Sequence, residues 1–355
     1  AFYCWNRLVA MNEVGGDPSC DGFSLEYFHR YNAKMQKTFP TTMTALGTHD
    51  TKRSDDVRAR MLVLSEIPDA FADAVKRWSA KNAKYRSGDQ VDAGTEWFLY
   101  QTLVGAWPIS AERLRDYMQK AMREAKLRTS WVSNNGEYEG ALNEYIERLL
   151  GDTDFVAELG AFVDGILAAG RMNSLTQTLL KYTSPGVPDL YQGGELWDFS
   201  LVDPDNRRPV NYALRTKLLK EMAGMKAAQV MQRSDEGLPK LWLIHHALQL
   251  RKDRPEWFGA KAGYVPVAAK GAQKERVIAY LRGEDVMTVA PRWSQEAKAW
   301  GETTIRVPSG WWVNQLTGEE MAGGKMLVGK LLTDFPVALL VRLKVDEAGA
   351  HGDKG

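Results

Sequence analysis

Residues 41 to 60, TTMTALGTHDTKRSDDVRAR, constrain the fold more than any other stretch. The β-branched, apolar run at 41 to 46 stops at Gly47-Thr48-His49-Asp50, and a dense block of charge follows from 52 to 60. That order reads as strand, tight turn and helix start. A carboxylate and an imidazole delivered together at the C-terminal end of a strand stand where α/β barrels and sheets carry their active sites. Two readings of the pair are open: a functional site on a loop, or a helix N-cap at Asp50 beside a turn residue at His49.

Around this stretch the chain is mostly helical. Residues 1 to 11 read as a helix, and NEVGGDP at 12 to 18 as a Gly-rich loop, since paired glycines take backbone angles closed to other residues. Glu13 and Asp17 on that loop are candidates either for substrate hydroxyls or for loop capping. From 24 to 37, Leu25, Phe28, Tyr31 and Met35 recur at helical spacing, which makes His29 a structural helix residue. Between 54 and 182 nearly every segment has a helical period. Pro68 opens one helix, Ser110 caps another, and Gly151 and Gly170 follow the ends of two more. The stripes at 137 to 150 and 154 to 169 are core faces, and the whole run reads as an inserted helical subdomain. Trp97, Tyr100, Trp107 and Trp131 are its conspicuous aromatics; packing accounts for each of them singly, and a sugar groove is the other use for such rings.

A second strand is expected at 184 to 191, followed directly by Gln192-Gly193-Gly194-Glu195. Beyond it, DPDNRR at 203 to 208 is a charged loop whose arginines either clamp a ligand or pair internally. Two helical stretches are expected at 212 to 230 and 240 to 252. His245 and His246 on the latter are neighbours in sequence, so they do not share a helix face and make a poor metal site. Past Pro255 to Gly263 the pattern changes to short alternating runs, ERVIAYL, VMTVAP, TTIRVP, GWWVNQL and VALLVRL, which argue an antiparallel sandwich. Residues 346 to 355 read as a frayed tail.

Composition narrows the function. The chain has 355 residues, 44% hydrophobic and 26% charged, which suits a globular protein of two or three domains. A net charge of +1, from 46 basic and 45 acidic residues, leaves no global field for nucleic acid or an anionic membrane. No run reaches the about 18 apolar residues of a membrane span, and no signal peptide is visible, so a cytoplasmic protein is expected. Cys4 and Cys20 are read as reduced thiols, not as a disulfide framework or metal ligands.

The run Thr48-His49-Asp50-Thr51-Lys52-Arg53 resembles the fourth conserved region of the α-amylase superfamily (glycoside hydrolase family 13), whose His-Asp pair follows the seventh barrel strand. Gly186, Pro188, Tyr191, Gly193 and Glu195 match that superfamily's Gly-x-Pro-x-x-Tyr-x-Gly-x-Glu region at the eighth strand. Together with NEVGGDP, HDTKRSDDVRAR and LVDPDNRRPV at 201 to 210, these motifs are similar to the maltooligosyltrehalose synthase family over nearly the whole chain.

The resemblance implies an α+β multidomain fragment. Its expected parts are the end of a (β/α)8 barrel with strand 7 at 1–53, the helical insertion at 54–182, strand 8 and following helices at 183–255, and a C-terminal β-sandwich at 256–345. It implies an intramolecular transglucosidase that turns the reducing-end α-1,4 linkage of a maltooligosaccharide into an α,α-1,1 linkage, with a functional link to a maltooligosyltrehalose trehalohydrolase. No metal or organic cofactor is called for. Asp50 would stabilise the transition state, and His49, Lys52, Arg53, Glu13, Tyr191, Gln192 and Glu195 would contact the substrate.

A strand count points the same way. A closed eight-stranded barrel needs eight compatible strands, and only two are convincing before residue 255. Retaining glycoside chemistry needs a nucleophilic carboxylate and a carboxylic acid about 5 Å apart. In the superfamily both precede region four, and no Gly-x-Arg-x-Asp motif is found, so both are expected upstream of Ala1. Two rival readings are an ordinary α-glucan hydrolase, which is not expected to carry NEVGGDP or DTKRSDDVRAR, and a noncatalytic glucan-binding fragment.

Overall fold

The computed structural model describes residues 2–19, 22–296 and 299–343; Cys20 and the expected tail at 346 to 355 lie outside the described residues. In chain order the elements are α1 (Leu25–Thr38), β1 (Met43–Thr44), α2 (Asp55–Leu62), α3 (Pro68–Asn82), α4 (Ala93–Ala106), α5 (Ala111–Ala125), α6 (Gly136–Gly151), α7 (Thr153–Thr183), β2 (Val187–Pro188), α8 (Tyr212–Glu221), α9 (Ala227–Gln232), α10 (Leu238–Asp253), β3 (Tyr264–Pro266), β4 (Val277–Arg282), β5 (Val286–Pro291), β6 (Thr304–Asn314), β7 (Glu320–Leu327) and β8 (Ala338–Arg342). They divide into two compact units. One comprises Ala1–Asp21, Gly47–Arg171 and Asp198–Pro209; the other comprises Gly22–Leu46, Met172–Trp197 and Val210–Gly355.

The first unit is the helical one, from α2 to the first part of α7. Its core gathers Trp78, Phe98, Tyr145 and Phe155 from the helices with Tyr3, Val9, Leu201 and Val202 from the flanking segments. Helix starts follow side-chain capping. Ser54, Asp92, Ser110 and Asn135 each accept an amide from their first turn, and Pro68 opens α3 as its spacing predicts.

Two expectations in this unit change. Where a helix is expected up to residue 11, residues 2 to 11 hold only a short 3-10 turn, Val9–Met11. The carbonyls a helix would use are taken by side chains: Asn12 donates to those of Phe2 and Trp5, and Trp97 and Gln101 both donate to that of Asn6. Gly170 does not end a helix but lies inside α7, where a Cβ would stand 3.1 Å from Cα of Arg60. A glycine there lets two backbones approach.

In the second unit β1 and β2 pair in parallel, Met43 with Val187 and Thr44 with Pro188, so both expected strands exist but as two-residue cores. Gly186, at φ +130°, permits the approach; a Cβ there would lie 2.8 Å from the Thr42 carbonyl oxygen. Arg251 of α10 then holds the turn by donating to the carbonyls of Tyr182 and Gly186, at 2.8 and 3.0 Å. On α1 the inward face is Leu25, Phe28, His29, Asn32, Met35 and Gln36, while Tyr31 is exposed. His29 is structural: its Nδ1 meets the Tyr264 hydroxyl at 2.8 Å, and burial pushes its pKa down. The expected helix at 212 to 230 is two, α8 and α9, broken at Gly224 with φ +84°.

The remaining strands form one six-stranded antiparallel sheet in the order β3-β4-β5-β8-β6-β7, where the alternation predicts two facing sheets. The runs TTIRVP and GWWVNQL contribute to a single strand, β6, irregular between Val307 and Trp311, where Pro308 lacks an amide and Gly310 has φ +119°. The central strands β4, β5 and β8 are buried on both faces, whereas β3, β6 and β7 keep exposed positions. Val286, Ala290, Leu339 and Val341 pack with Leu241, Leu243 and Ile244 of α10. On the opposite face Met287, Val289, Ala338 and Leu340 pack with Trp300, Val328 and Leu331. A helix, α10, covers the first of these faces, while the second also gathers Ile305 and Val307 of β6 and Met321 of β7.

For the same reason residues 255 to 263, expected as a boundary, fall inside the second unit, where α10 and the sheet share one core. Limited proteolysis is therefore expected to yield no stable fragment beginning near that junction. A persistent fragment starting there, read by mass spectrometry, would show that the sheet packs independently.

Candidate active site

Asp50 is not a helix cap. Ser54 fills that role, its hydroxyl accepting from the Val57 amide at 3.3 Å, with Asp55 and Asp56 in the positive first turn of α2. Asp50 stands four residues earlier, its side chain 60% exposed. The turn under it is closed by threonines. The Thr51 hydroxyl donates to the Thr48 carbonyl at 2.8 Å, and the Asp50 amide donates to the Thr48 hydroxyl at 3.2 Å.

Lys52 supplies the charge partner. Its Nζ lies 3.0 Å from Asp50 Oδ1 and donates to the Asp50 carbonyl at 3.1 Å. The lysine side chain is only 8% exposed, with its ammonium 5.2 Å from the Phe2 ring centroid. Bonded to this ammonium, the Asp50 carboxyl is held below the usual aspartate range. At this exposure the pair stabilises the fold little; its consequence is a carboxylate kept ionised and aimed.

The neighbouring candidates behave differently. His49 is exposed. Arg53 is fully buried, donating to the Val9 carbonyl at 3.1 Å and lying over the Phe98 ring. Glu13 is also buried and faces protein backbone: its oxygens accept from the amides of Val14, Lys52 and Arg53. Asp17 caps its own loop, accepting from the Ser19 amide and hydroxyl. Of the four conspicuous aromatics, Tyr100 is buried, Trp97 and Trp107 are half-buried, and Trp131 is exposed.

Tyr191, Gln192 and Glu195 belong to the second unit. Tyr191 is half-buried and Gln192 exposed, on a turn closed by the Gly194 amide donating to the Tyr191 carbonyl at 3.0 Å. Glu195 pairs with Arg215 of α8 at 2.7 Å, and that guanidinium also donates to the Gly193 carbonyl at 2.6 Å. The arginines of DPDNRR pair internally, Arg207 with Asp203 and Arg208 with Asp205.

Sequence reasoning missed Arg215 and Asn206. Asn206 Nδ2 donates to the carbonyls of Thr48 and His49, at 3.3 and 3.0 Å. Its signal, an amide side chain in a Pro-rich charged loop, is common to many turns. Among the described residues no group of three or more His, Cys, Asp or Glu is placed to hold a metal ion. His245 and His246 are adjacent rings, and burial lowers the His246 pKa to about 4. No described helix is long and apolar enough to cross a membrane.

No protein-family model matches the chain. A Mycobacterium tuberculosis protein named as a maltooligosyl trehalose synthase is 39% identical over 350 residues, 96% of this chain and 43% of the relative. The solved maltooligosyltrehalose synthase of Arthrobacter ramosus is 39% identical with a TM-score of 0.86, covering 96% of this chain and 44% of that one. A hypothetical maltooligosyl trehalose synthase of Sulfolobus tokodaii is 32% identical with a TM-score of 0.80, over 96% and 44%. The resemblance expected from the motifs is thereby borne out: in sequence and fold the chain is similar to part of the maltooligosyltrehalose synthases, spanning less than half the length of the relatives it matches.

Proposed function

We propose that this chain, similar over nearly all its length to part of the maltooligosyltrehalose synthases, is the C-terminal part of an enzyme that converts the reducing-end α-1,4 linkage of a maltooligosaccharide into an α,α-1,1 linkage. The observation that carries the reading is Asp50, exposed on the turn after β1 with a buried ammonium bonded to it. An ionised carboxylate so held suits a stabiliser of an oxocarbenium-like transition state, accepting sugar hydroxyls whose bonds strengthen as the ring flattens. His49, exposed beside it, is a donor to the same sugar. Lys52 acts through Asp50 and does not reach the sugar itself.

In the proposed reaction a nucleophilic carboxylate and a general acid come from outside this chain. The nucleophile forms a glycosyl ester with loss of the reducing-end glucose as leaving group. That glucose stays bound, turns, and attacks through its anomeric hydroxyl, whose proton returns to the carboxylate that served as acid. The product is a substrate for a trehalohydrolase.

Maltopentaose tests the reading. The chain alone is expected to leave reducing ends and glucose unchanged over time, since losing carboxylates that act as a unit costs about 10⁶-fold. Co-expressed with the part of the Arthrobacter ramosus synthase that it does not match, it is expected to remove reducing ends without releasing glucose. Glucose release in place of that loss would favour a hydrolase, and turnover by the chain alone would place the whole site within it.

A further inference from the structure

Six residues, Thr48 to Arg53, carry the Asp50 carboxylate, and two side chains from distant parts of the first unit grip their backbone. Glu13 holds one end: Oε1 accepts from the Lys52 amide at 2.7 Å and Oε2 from the Arg53 amide at 3.1 Å. Asn206 holds the other, donating to the carbonyls of Thr48 and His49. The grips span 39 and 40 residues on one side and 157 and 158 on the other, so neither is a local turn device.

The two grips differ in kind. Glu13 is 3% exposed, and a buried carboxylate accepting amides makes charge-assisted bonds about twice as strong as neutral ones. Asn206 is half-buried and makes neutral bonds. Between them Asp50 reaches solvent, and its position depends on Lys52, whose buried stem follows the backbone that Glu13 clamps.

The geometry points to Glu13 and Asn206 as positioning residues that fix the Asp50 carboxylate against Lys52, with Glu13 acting through two backbone amides and never touching substrate. This rests on the reading of Asp50 as the working carboxylate only where activity is concerned. A glutamine at position 13 keeps the shape but presents an NH2 where one of the carboxylate oxygens accepts, setting donor against donor. The loop then shifts, and a misplacement of about 1 Å at a reacting group costs on the order of 10²-fold in rate.

The test is carboxyl-carbon NMR titration of Asp50 in the full 355-residue chain, assigned with Asp50→Asn. Lys52, His49 and Lys120 are the charged groups acting on Asp50. In Glu13→Gln and in Asn206→Ala, Asp50 is expected to titrate higher than in the parent chain. In Glu139→Gln, which disturbs a carboxylate bonded to Arg123 and Thr129, thermal stability is expected to fall with Asp50 unmoved. Asp50 titrating as in the parent in both Glu13→Gln and Asn206→Ala overturns the inference, whatever happens to stability. Should Glu13→Gln not fold, Asn206→Ala decides alone. In the co-expressed enzyme both variants are expected to lower kcat, Glu13→Gln by about 10²-fold. A shifted titration with unchanged kcat would leave the clamp standing and remove the catalytic reading of Asp50.

Discussion

Asp50→Asn is expected to lower turnover of maltopentaose by the co-expressed enzyme about 10²- to 10³-fold, the loss typical when one fixed group stabilising transition-state charge is removed. kcat and kcat/KM should fall together, because the contact strengthens only as the sugar ring flattens. The fold should be unaffected: the side chain is mostly exposed and its partner Lys52 keeps its bond to the Asp50 carbonyl. Asparagine retains an oxygen acceptor but not the charge, so the variant separates electrostatic stabilisation from simple hydroxyl recognition. Reducing-end loss measured over substrate concentration checks it. A raised KM with kcat intact would make Asp50 a binding residue only.

Glu96→Ala is expected to have the largest effect on stability. Its carboxylate accepts from the hydroxyls of Tyr100 at 2.8 Å, Tyr145 at 2.5 Å and Ser79 at 2.7 Å, and from the Arg86 guanidinium at 2.5 Å. Burial raises the pKa of both tyrosines, which keeps them protonated as donors. One side chain therefore joins α3, α4 and α6. Its removal strands a guanidinium and buried hydroxyls, and breaking such a buried pair costs about 3–5 kcal/mol. For a unit of this size that corresponds to a fall of roughly 6–20 °C in the midpoint of its thermal transition. Near-ultraviolet circular dichroism, sensitive to the packed tyrosines, follows the transition; a fall below about 2 °C would mean that water replaces the carboxylate without penalty.

What the sequence disclosed follows from how local each signal is. Caps, helical stripes and the turn at 47–50 depend on neighbours within a few residues, so Pro68 and Ser110 fall where their chemistry puts them. Gly170 misled because its use, the approach of Arg60 from another helix, is written 110 residues away. Glu13 was legible as important but not in its direction: nothing in NEVGGDP says that the carboxylate turns to amides at 52 and 53. The sheet misled for a related reason. Alternation predicts one wet face per strand, whereas β5 is buried along its whole length between α10 on one side and Trp300 on the other.

The interleaving of the two units has a consequence for synthesis. The first unit draws on residues up to Pro209, and Ser54 at the start of α2 bonds the carbonyl of Asp198, 144 residues later. At about 5–20 residues per second a ribosome takes roughly 7 to 30 s to deliver that partner. During the wait Ser54 and the Thr48–Arg53 turn beside it have no completed surface to dock on, although the helices between 54 and 198 can already coil. Slowing translation between 60 and 198 lengthens the interval in which this unit is open to proteases and to chaperones.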